Sequence, residues 1–417
     1  MRVQIVGLGV IGTPLMCALA LAGHTVQGFD RDTRRLADIR QNCGTWMDQD
    51  LQALLRSALL TGRVELSHTC ASAQAHVVCV PSPLTETQPP ECELGPVLAA
   101  AEAISQVIND GDLVILESTV PPGTTRGPFA TAVLAGGRVQ SGQVLFAHVP
   151  ERIIPGNTVF ELYNNERVVG CDSEELGNRV RELYASFARG DIHLCTTETA
   201  EIVKLAENAY RDVNIALANE VALLCELHGV DPWQALALAN KHPRVSYLQP
   251  GPGVGGHCIP IDPWFLASGR APEQSVVIRA ARARNIGMTT YVADRLLQLV
   301  HEAGVRSVVL LGRAYKRNVA DCRESPTDAV QNILLQAGVE VRICDPVVDG
   351  TGTYPLDLYE WAHNEQVFCL MVDHDLFKLL EPTRLGPGAG STMLDMRNCI
   401  DRVRWTNAGW RVTGFSH

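Results

Sequence analysis

Short apolar runs alternate with longer segments of mixed polarity through the first half of the chain. The runs that favour β-strands lie at residues 3–6, 25–29, 76–80, 113–117 and 144–148. Segments between them, such as 14–22 and 97–108, favour helices. Regular alternation of strands and helices is typical of an α/β domain with a parallel sheet. The first half is therefore predicted to be a doubly wound parallel α/β domain.

A long uninterrupted helix and a second strand–helix series are predicted after this domain. Residues 199–227 contain neither Pro nor Gly, so they are predicted to form one helix that links two lobes. Loops rich in Pro and Gly are predicted at 249–263 and 382–391. Apolar runs at 308–311, 340–344, 366–372 and 392–395 predict a smaller second α/β domain.

A glycine motif follows the first predicted strand directly, in the order Gly7-Leu8-Gly9-Val10-Ile11-Gly12. In a dinucleotide site, Gly7 would permit the tight turn and Gly9 would let a pyrophosphate approach the backbone. Gly12 would allow close packing of helix and strand. Asp30 ends the second strand, where an acid binds the ribose hydroxyls. The motif alone is a weak signal, but its order with the strand, helix and acid predicts a dinucleotide site.

The helix after this motif carries recognisable end signals. Thr13 is predicted to cap its N-terminus, and Pro14 suits its first turn. Gly23 suits its C-terminal end.

Asp30 also predicts the choice of cofactor. A carboxylate at this position repels a 2′-phosphate, which favours NAD over NADP. The neighbouring Arg31, Arg34 and Arg35 weaken this argument. They could be a solvated helix start, or one of them could contact the adenosine side.

The most informative segment covers residues 250–260, where four glycines precede Cys258. The glycines are interpreted as leaving room for a ligand against the backbone. A thiolate can add to an aldehyde, and the adduct can lose hydride to become a thioester that water hydrolyses. The alternative is that Cys258 is a small buried apolar residue. His257 could be a general base, but it is interpreted as structural because adjacent residues usually point apart. Asp262 either lines the same pocket or is a turn residue before Pro263.

Two polar side chains share one face of the predicted linking helix. Lys204 and Asn208 are four residues apart, and a cation beside an amide can stabilise a developing oxyanion. Lys204 could equally be a solvated surface residue. Glu207 and Arg211 on the neighbouring stripe could form an ion pair.

Composition and charge narrow the class of protein. The formal net charge is -11, which argues against a nucleic-acid or anionic-membrane partner, so an anionic ligand must meet a local cluster of Arg and Lys. The 13 Cys include no CxxC pair, which argues against zinc and against a redox dithiol, and no metal is expected. No signal peptide and no membrane-spanning apolar run are evident, so a cytoplasmic protein is expected.

Together these motifs resemble the UDP-glucose/GDP-mannose dehydrogenase family over almost the whole length of the chain. Besides the glycine motif and the Cys258 loop, the resemblance rests on the segments 117–124, 150–152, 204–220, 242–245 and 315–326. The chain departs from the family's usual pattern at Val10, Arg317 and Ala320.

The resemblance implies a fold of three parts. These are an N-terminal Rossmann-like NAD domain at 1–195, a central helical region at 196–300, and a smaller Rossmann-like domain at 301–417. The central region would carry catalytic residues and form a homodimer, and the last domain would bind the UDP-sugar.

The resemblance also implies roles for individual residues. Cys258 would be the nucleophile, and Lys204 and Asn208 would stabilise oxyanions. Asp262, Thr119 and Glu151 would position or activate water, with Glu151 also a candidate acid/base. The residues implied to contact the cofactor are Gly7, Gly9, Val10, Ile11, Gly12, Asp30, Arg35, Pro81, Ser82, Ser118, Thr119 and Arg323. Those implied to contact the substrate are Glu151, Arg152, Lys204, Asn208, Arg244, Tyr247, Gly255, Lys316 and Arg397.

Several of these residues have a structural alternative. Glu151 and Arg152 could pair with each other on a loop, and Thr119 could merely end a strand. Lys316 and Arg323 could be solvent-facing, and Arg244 could pair with an acid instead of helping to define the sugar pocket.

The expected reaction is a four-electron oxidation of the C6 hydroxymethyl group of a UDP-N-acetylhexosamine to a carboxylate, with reduction of two NAD. The segment 242–253 is most similar to family members that act on UDP-N-acetylmannosamine, and Arg244 would act in its own subunit or across a subunit boundary. UDP-N-acetylglucosamine and UDP-glucose remain open.

Two rival functions remain at this point. A two-electron hydroxyacid dehydrogenase can also place a Lys and an Asn on a helix after a Rossmann domain, but it needs neither Cys258 nor a second α/β domain. A non-catalytic NAD-binding protein would have no chemical use for Cys258, Lys204, Asn208 and Thr119 together.

Overall fold

The computed structural model describes residues 1–44, 46–153, 156–268, 272–348, 353–354, 358–385 and 390–415. The chain divides into two compact units. The N-terminal unit comprises Met1–Glu207 and Trp264–Pro272, and the C-terminal unit comprises Asn208–Pro263 and Glu273–His417.

The N-terminal unit is built on an eight-stranded sheet. Its strands are β1 (Arg2–Val6), β2 (Thr25–Phe29), β3 (Val64–Ser67), β4 (Ala75–Val78), β5 (Leu113–Leu116), β6 (Leu145–His148), β7 (Arg167–Gly170) and β8 (Ile192–Cys195). Their order in the sheet is β3-β2-β1-β4-β5-β6-β7-β8. The strand order reverses between β1 and β4, and ligands of doubly wound sheets bind at such a point.

Helices cover both faces of this sheet. They are α1 (Gly12–Leu21), α2 (Thr33–Gln41), α3 (Gln49–Leu60), α4 (Gly95–Ser105), α5 (Ala130–Leu134), α6 (Thr158–Asn164) and α7 (Glu174–Ala185), and a short π-helical turn spans Thr125–Phe129. Apolar side chains of α1, α3, α6 and α7 form the core on one face. Those of α4 and α5 form the core on the other.

A 31-residue helix, α8 (Thr197–Leu227), contributes its first residues to the N-terminal unit and the rest to the C-terminal unit. It is followed by α9 (Pro232–Ala239), α10 (Asp262–Ala267), a 3-10 turn at Pro272–Gln274 and the 28-residue α11 (Val276–Ala303). The predicted linking helix at 199–227 is thus confirmed, whereas α11 was not predicted.

The C-terminal unit contains a second, all-parallel sheet. Its strands are β9 (Ser307–Leu311), β10 (Glu340–Cys344), β11 (Thr353–Tyr354), β12 (Val367–Leu370), β13 (Thr392–Asp395) and β14 (Arg411–Thr413), in the order β11-β10-β9-β12-β13-β14. Helices α12 (Pro326–Gln336), α13 (Leu358–Trp361) and α14 (Arg402–Asn407), and a 3-10 turn at Asp375–Leu379, complete the unit.

The strands predicted from apolar runs are confirmed to within about two residues at each end, but five strands of the described residues, β3, β7, β8, β11 and β14, were not predicted. Two of these, β3 and β8, lie at the edges of the sheet and have no fully buried residue, so they lack the apolar run on which the prediction depended. The sheet is also not entirely parallel, because β7 runs antiparallel to β6.

One predicted helix signal is wrong. Helix α1 begins at Gly12 with Ile11 at its N-cap and has no side-chain cap, while the Thr13 hydroxyl donates to the Leu8 carbonyl at 3.0 Å. Gly23 does follow the helix end, with φ +96°. The predicted loop at 382–391 includes residues 386–389, which lie outside the described residues.

Candidate active site

A cavity of about 330 Å³ opens beside the glycine motif in the N-terminal unit. Gly7 has φ +92°, and a Cβ there would lie 2.9 Å from the Cys79 carbonyl oxygen. A Cβ on Gly12 would overlap the Gly7 carbonyl oxygen. Gly7 and Gly12 therefore let β1, β4 and α1 approach closely, as a dinucleotide-binding turn requires. Gly7 and Gly9 line the cavity.

Asp30 stands at the end of β2 and also lines this cavity, together with Arg35 and Pro81. One carboxylate oxygen accepts from the Leu8 N–H at 2.9 Å, and the other accepts from the Asp32 N–H at 2.9 Å. These bonds fix the carboxylate beside the glycine turn. The cavity, the glycine turn, the uncapped start of α1 and this acid fit the adenosine-diphosphate part of NAD.

Two predicted cofactor residues, Ser82 after β4 and Ser118 after β5, form hydrogen bonds between the segments that follow these strands. The Ser82 hydroxyl donates to the Thr119 carbonyl at 2.6 Å, and the Ser118 hydroxyl donates to the Val80 carbonyl at 2.7 Å. These two bonds tie the carboxyl ends of β4 and β5 together. Thr119 is half-buried and lies three residues after the end of β5, and its predicted role remains a prediction.

Glu201, which the sequence did not single out, anchors the loop that follows Thr119. Its carboxylate accepts from the Gly123 N–H at 2.5 Å, the Thr125 N–H at 2.8 Å and the Thr125 hydroxyl at 2.6 Å. The side chain is buried and lies one turn before Lys204 on α8. A Glu three residues before a candidate catalytic Lys was the available signal, but its partners could be identified only from the structure.

Glu151 and Arg152 do not pair through their side chains. Glu151 accepts from the Arg152 backbone N–H at 2.6 Å and has Arg167 at 4.0 Å. The Arg152 guanidinium instead pairs with Glu207 at 2.6 Å and donates to the Glu166 carbonyl. The suggested Glu151–Arg152 ion pair is therefore wrong. Glu207 is paired with Arg152, so the suggested Glu207–Arg211 pair is wrong as well.

A second carboxyl group near Glu151, that of Glu117, was not predicted either. Glu117 is buried and accepts from the Tyr184 hydroxyl and from the Cys79 thiol. Burial, followed by the negative charge of Glu151, raises the pKa of Glu117 to about 7. A Glu directly after the apolar strand β5 was the sequence signal for such a group.

The C-terminal unit brings three predicted catalytic residues together. Cys258 is exposed, and its carbonyl accepts from the Asp262 N–H at 2.8 Å. The buried Asp262 carboxylate accepts from the Asn208 side-chain amide at 2.5 Å. Asp262 begins α10, so the suggestion that it is only a turn residue is wrong. Lys204, one turn before Asn208 on α8, is half-buried and belongs to the N-terminal unit.

His257 is half-buried, and its predicted structural role remains a prediction. Burial, and then the positive charge of Arg323, lower the pKa of His257 below its usual value.

The glycines before Cys258 serve close packing within the protein. A Cβ on Gly255 would lie 2.6 Å from the Glu324 carbonyl, and one on Gly256 would lie 2.7 Å from the Tyr315 ring. The Gly256 N–H donates to the Arg323 carbonyl at 2.9 Å. The missing Cβ at these two positions accommodates neighbouring protein atoms, and the interpretation that the glycines leave room for a ligand remains a prediction.

A second cavity, of about 390 Å³, lies within the C-terminal unit. Its positively charged lining residues are Arg211, Lys316, Arg317 and Arg397, and Gly255 also lines it. Four cations against one lining carboxylate, Asp373, make the cavity suitable for a diphosphate group despite the acidic balance of the chain. Arg211 and Arg317 were not predicted as ligand residues.

The other predicted ligand residues of this unit lie elsewhere. Arg244 is exposed and Tyr247 is half-buried, and neither is among the described lining residues of the cavity. Arg323 is exposed and pairs with Asp321 at 2.6 Å. Their predicted roles remain predictions.

Sequence models of one family match all three parts of the chain. The NAD binding domain of the UDP-glucose/GDP-mannose dehydrogenase family matches residues 1–188. Its central domain matches 198–286, and its UDP binding domain matches 309–402.

Individual relatives are similar over nearly the whole chain. A UDP-N-acetyl-D-mannosamine dehydrogenase of Methanocaldococcus jannaschii is 36% identical, covering 99% of this chain and 95% of that protein. An NDP-N-acetyl-D-galactosaminuronic acid dehydrogenase of Ralstonia nicotianae is 36% identical, covering 92% and 93%. The solved structure of the UDP-N-acetyl-D-mannosamine dehydrogenase of Pyrococcus horikoshii superposes with a TM-score of 0.90 at 33% identity, covering 100% of this chain and 99% of that one.

Among the described residues, no helix combines the length and apolar character needed to cross a bilayer. A match to the UDP binding domain argues against a two-electron hydroxyacid dehydrogenase, which has no need for that domain. The chain belongs to the UDP-glucose/GDP-mannose dehydrogenase family and is an NAD-dependent oxidoreductase that acts on a UDP-sugar.

Proposed function

We propose that the chain oxidises the C6 hydroxymethyl group of UDP-N-acetyl-D-mannosamine to a carboxylate through a thioester on Cys258. The main support is the arrangement around the nucleophile loop. Cys258 is exposed, Asp262 follows one helical turn later, and Asn208 donates to the Asp262 carboxylate at 2.5 Å. A thiol, a carboxylate four residues after it and an amide donor on α8 that bonds to this carboxylate are groups that a thioester mechanism uses.

The reaction divides into two oxidations and a hydrolysis. When bound, NAD accepts one hydride in each oxidation. In the first, C6 loses a hydride and its hydroxyl loses a proton, which yields an aldehyde. The Cys258 thiolate then adds to the aldehyde carbon, and loss of a second hydride from the adduct yields the thioester. Water cleaves the C–S bond, which releases the carboxylate and restores the thiol.

The roles of the surrounding residues follow from their chemistry. Lys204 and the Asn208 amide stabilise the negative charge that develops on the C6 oxygen. Asp262, which is acceptor-only as a carboxylate, orients the hydrolytic water together with Thr119 and Glu151. Lys316, Arg317 and Arg397 bind the diphosphate of the UDP-sugar.

The choice of sugar rests on similarity. Curated relatives with that substrate in their names are 36% identical over nearly the full chain, and Arg244 lies in the segment that most resembles them. The Ralstonia nicotianae relative, named for an N-acetylgalactosaminuronic acid, is also 36% identical. An acetamido sugar is therefore the favoured class, with UDP-glucose the competitor.

The assembly and the compartment are proposed on separate grounds. Tyr210, Leu217 and Leu224 lie at seven-residue intervals on α8 and are exposed, which gives an apolar stripe suited to a homodimer. Thirteen Cys without a CxxC pair suit the reducing cytoplasm.

The deciding experiment is to count NADH formed per sugar consumed with UDP-N-acetylmannosamine, UDP-N-acetylglucosamine, UDP-N-acetylgalactosamine and UDP-glucose, for the wild type and Cys258→Ser. Two NADH per sugar with UDP-N-acetylmannosamine alone, and no turnover to the acid in the variant, are expected. Two NADH with another sugar would overturn the substrate, and a fully active variant would overturn the thioester. Cys225→Ser, a half-buried Cys on α8, is the matched control.

A further inference from the structure

The peptide bond between Pro250 and Gly251, where the nucleophile loop begins, is held at both of its polar ends. The Gly251 N–H donates to the side-chain oxygen of Asn219 at 2.9 Å. The Pro250 carbonyl accepts from the Arg397 guanidinium at 3.3 Å. Pro250 and Gly251 are buried, and a buried backbone N–H without a partner is strongly unfavourable.

Asn219 is itself held by a buried polar network. Its side-chain N–H donates to Asn285 at 2.9 Å, and Asn285 donates to the Asp212 carboxylate at 2.8 Å. Asp212 also pairs with Arg282 at 2.6 Å. All four side chains are buried. Because the N–H of the Asn219 amide is occupied by Asn285, its oxygen can only face Gly251, so the orientation of the amide is fixed.

Arg397 is oriented in the same way from the other side. Its Nε and Nη2 donate to Asp373, each at 3.2 Å, which leaves Nη1 directed at the Pro250 carbonyl. A Cβ on residue 251 would collide with the Arg397 guanidinium. Gly251 is therefore required for this close approach, and Arg397 touches the loop as well as the cationic cavity.

We propose that Asn219 is a positioning residue which, with Arg397, clamps the start of the nucleophile loop and thereby fixes where Cys258 is presented. The far end of the loop is held independently, by the Gly256 N–H bond to the Arg323 carbonyl and by the Asp262 N–H bond to the Cys258 carbonyl. With both ends held, the loop has one conformation in which to meet an aldehyde. This proposal rests on the proposed thioester role of Cys258.

Amide hydrogen exchange on the full-length protein tests the clamp without relying on activity. Asn219→Ala should accelerate exchange in peptides covering 248–260 about tenfold, since one lost hydrogen bond is worth roughly that factor in a local opening equilibrium. Asn214→Ala is the matched control, because Asn214 lies on the same helix and, among the described residues, its side chain bonds only to the Tyr210 carbonyl. Equal exchange rates in the two variants would overturn the clamp.

Counting the NADH formed per sugar tests whether the clamp affects the position of Cys258. In Asn219→Ala the ratio should fall from two toward one, because the aldehyde leaves before a misplaced thiolate can add to it. Partial misfolding lowers the rate but leaves this ratio unchanged. Faster exchange in Asn219→Ala with an unchanged NADH-to-sugar ratio and unchanged turnover would contradict the proposal that the clamp positions Cys258. If the wild type itself failed to form two NADH with any UDP-sugar, the proposed function would fall, while the exchange comparison would still decide the clamp.

Asn285→Ala separates the clamp from the network behind it. This variant leaves the Asn219–Gly251 bond possible but frees the Asn219 amide to rotate. The expected acceleration of exchange in 248–260 is smaller than in Asn219→Ala, and an equal or larger one would overturn the assignment of the effect to Asn219.

Discussion

The two sheets share a local arrangement of a glycine and an acid but use it differently. In the first, Gly7 follows β1 with φ +92°, and Asp30 after β2 accepts from the Leu8 N–H. In the second, Gly312 follows β9 with φ +99°, and the acid after β10, Asp345, accepts from the two N–H groups that follow Gly312. Each sheet thus pairs a left-handed glycine with an acid on the neighbouring strand.

The difference lies in what remains accessible. Asp30 is half-buried and lines a cavity, and α1 starts without a side-chain cap. Asp345 is buried and contacts His374 at 3.2 Å, while α12 is capped by Ser325. In the first sheet, the acid and the N–H groups at the start of α1 are accessible to a ligand. In the second sheet, Asp345 and the start of α12 form hydrogen bonds within the unit. The acid therefore lines a cavity in the first sheet and is buried in a hydrogen-bond network in the second.

The largest expected effect is on the stability of the C-terminal unit, when Asp345 is replaced. Asp345→Ala removes an acceptor from the N–H groups of Arg313, Ala314, Val347 and Val348 and from the buried His374. We expect it to lower the free energy of unfolding by about 3–5 kcal/mol, because buried donors lose their partner. Asp30→Ala should lower it by less than about 1 kcal/mol. Calorimetry of both variants measures the loss of stability, and equal losses would contradict the different roles of Asp30 and Asp345.

The pH dependence of stability should differ between buried acids of the two units. The pKa of Glu117 is raised to about 7 by burial and the charge of Glu151, so the folded state holds a proton that the unfolded state loses above about pH 4.5. Its stabilising contribution is present below that pH and is lost as pH rises toward 7, by roughly 3 kcal/mol in total. Urea unfolding of Glu117→Gln from pH 4.5 to 8 should lack this decline, and a wild-type slope in the variant would contradict the assignment.

Asp345 should show the opposite sign. Burial alone would raise the pKa of Asp345, but the hydrogen bonds from His374 and from backbone N–H groups lower it below its usual value. Its contribution is therefore present at neutral pH and is lost as pH falls below the usual aspartate range. The decline in wild-type stability below about pH 4 should be weaker in Asp345→Asn.

Substitutions in the two cavities should change the affinity for different ligands, and these effects should be smaller than the effect of Asp345→Ala on stability. Asp30→Ala should raise KM for NAD about tenfold with little change in KM for the UDP-sugar, since one charged hydrogen bond contributes about 1.5–3 kcal/mol. Lys316→Ala should do the reverse. Steady-state kinetics with each ligand varied in turn measures both, and a shared effect on both constants would show that the cavities are not separate sites.

The smallest expected effect concerns the helix caps. Ser325→Ala should lower the free energy of unfolding by about 1 kcal/mol, since Ser325 caps α12 through the Thr327 N–H and also donates to the Arg313 carbonyl. Ile11→Ala, at the uncapped start of α1, removes no cap bond and serves as the comparison. An equal loss in both would show that capping is not the cause.

Sequence patterns predicted the elements with strong apolar runs, but not the partly exposed edge strands β3 and β8. They also predicted which residue types could perform the chemistry. They did not predict the partners of those residues. Arg152 pairs with Glu207, Asn208 with Asp262, and Asn219 with the Gly251 N–H. Each pair joins positions more than thirty residues apart, so no local spacing rule could indicate it.

The sequence by itself determined the α/β fold, the dinucleotide turn and the identity of Cys258 as the candidate nucleophile, because periodicity, backbone freedom and thiol chemistry are local properties of the chain. The tertiary structure decided which acids are buried, which cations line a cavity and which side chains hold the loops. Those outcomes depend on desolvation and on hydrogen bonds between distant segments. The same pairing of a glycine with an acid can therefore leave the acid accessible to a ligand after β2 and bury it after β10.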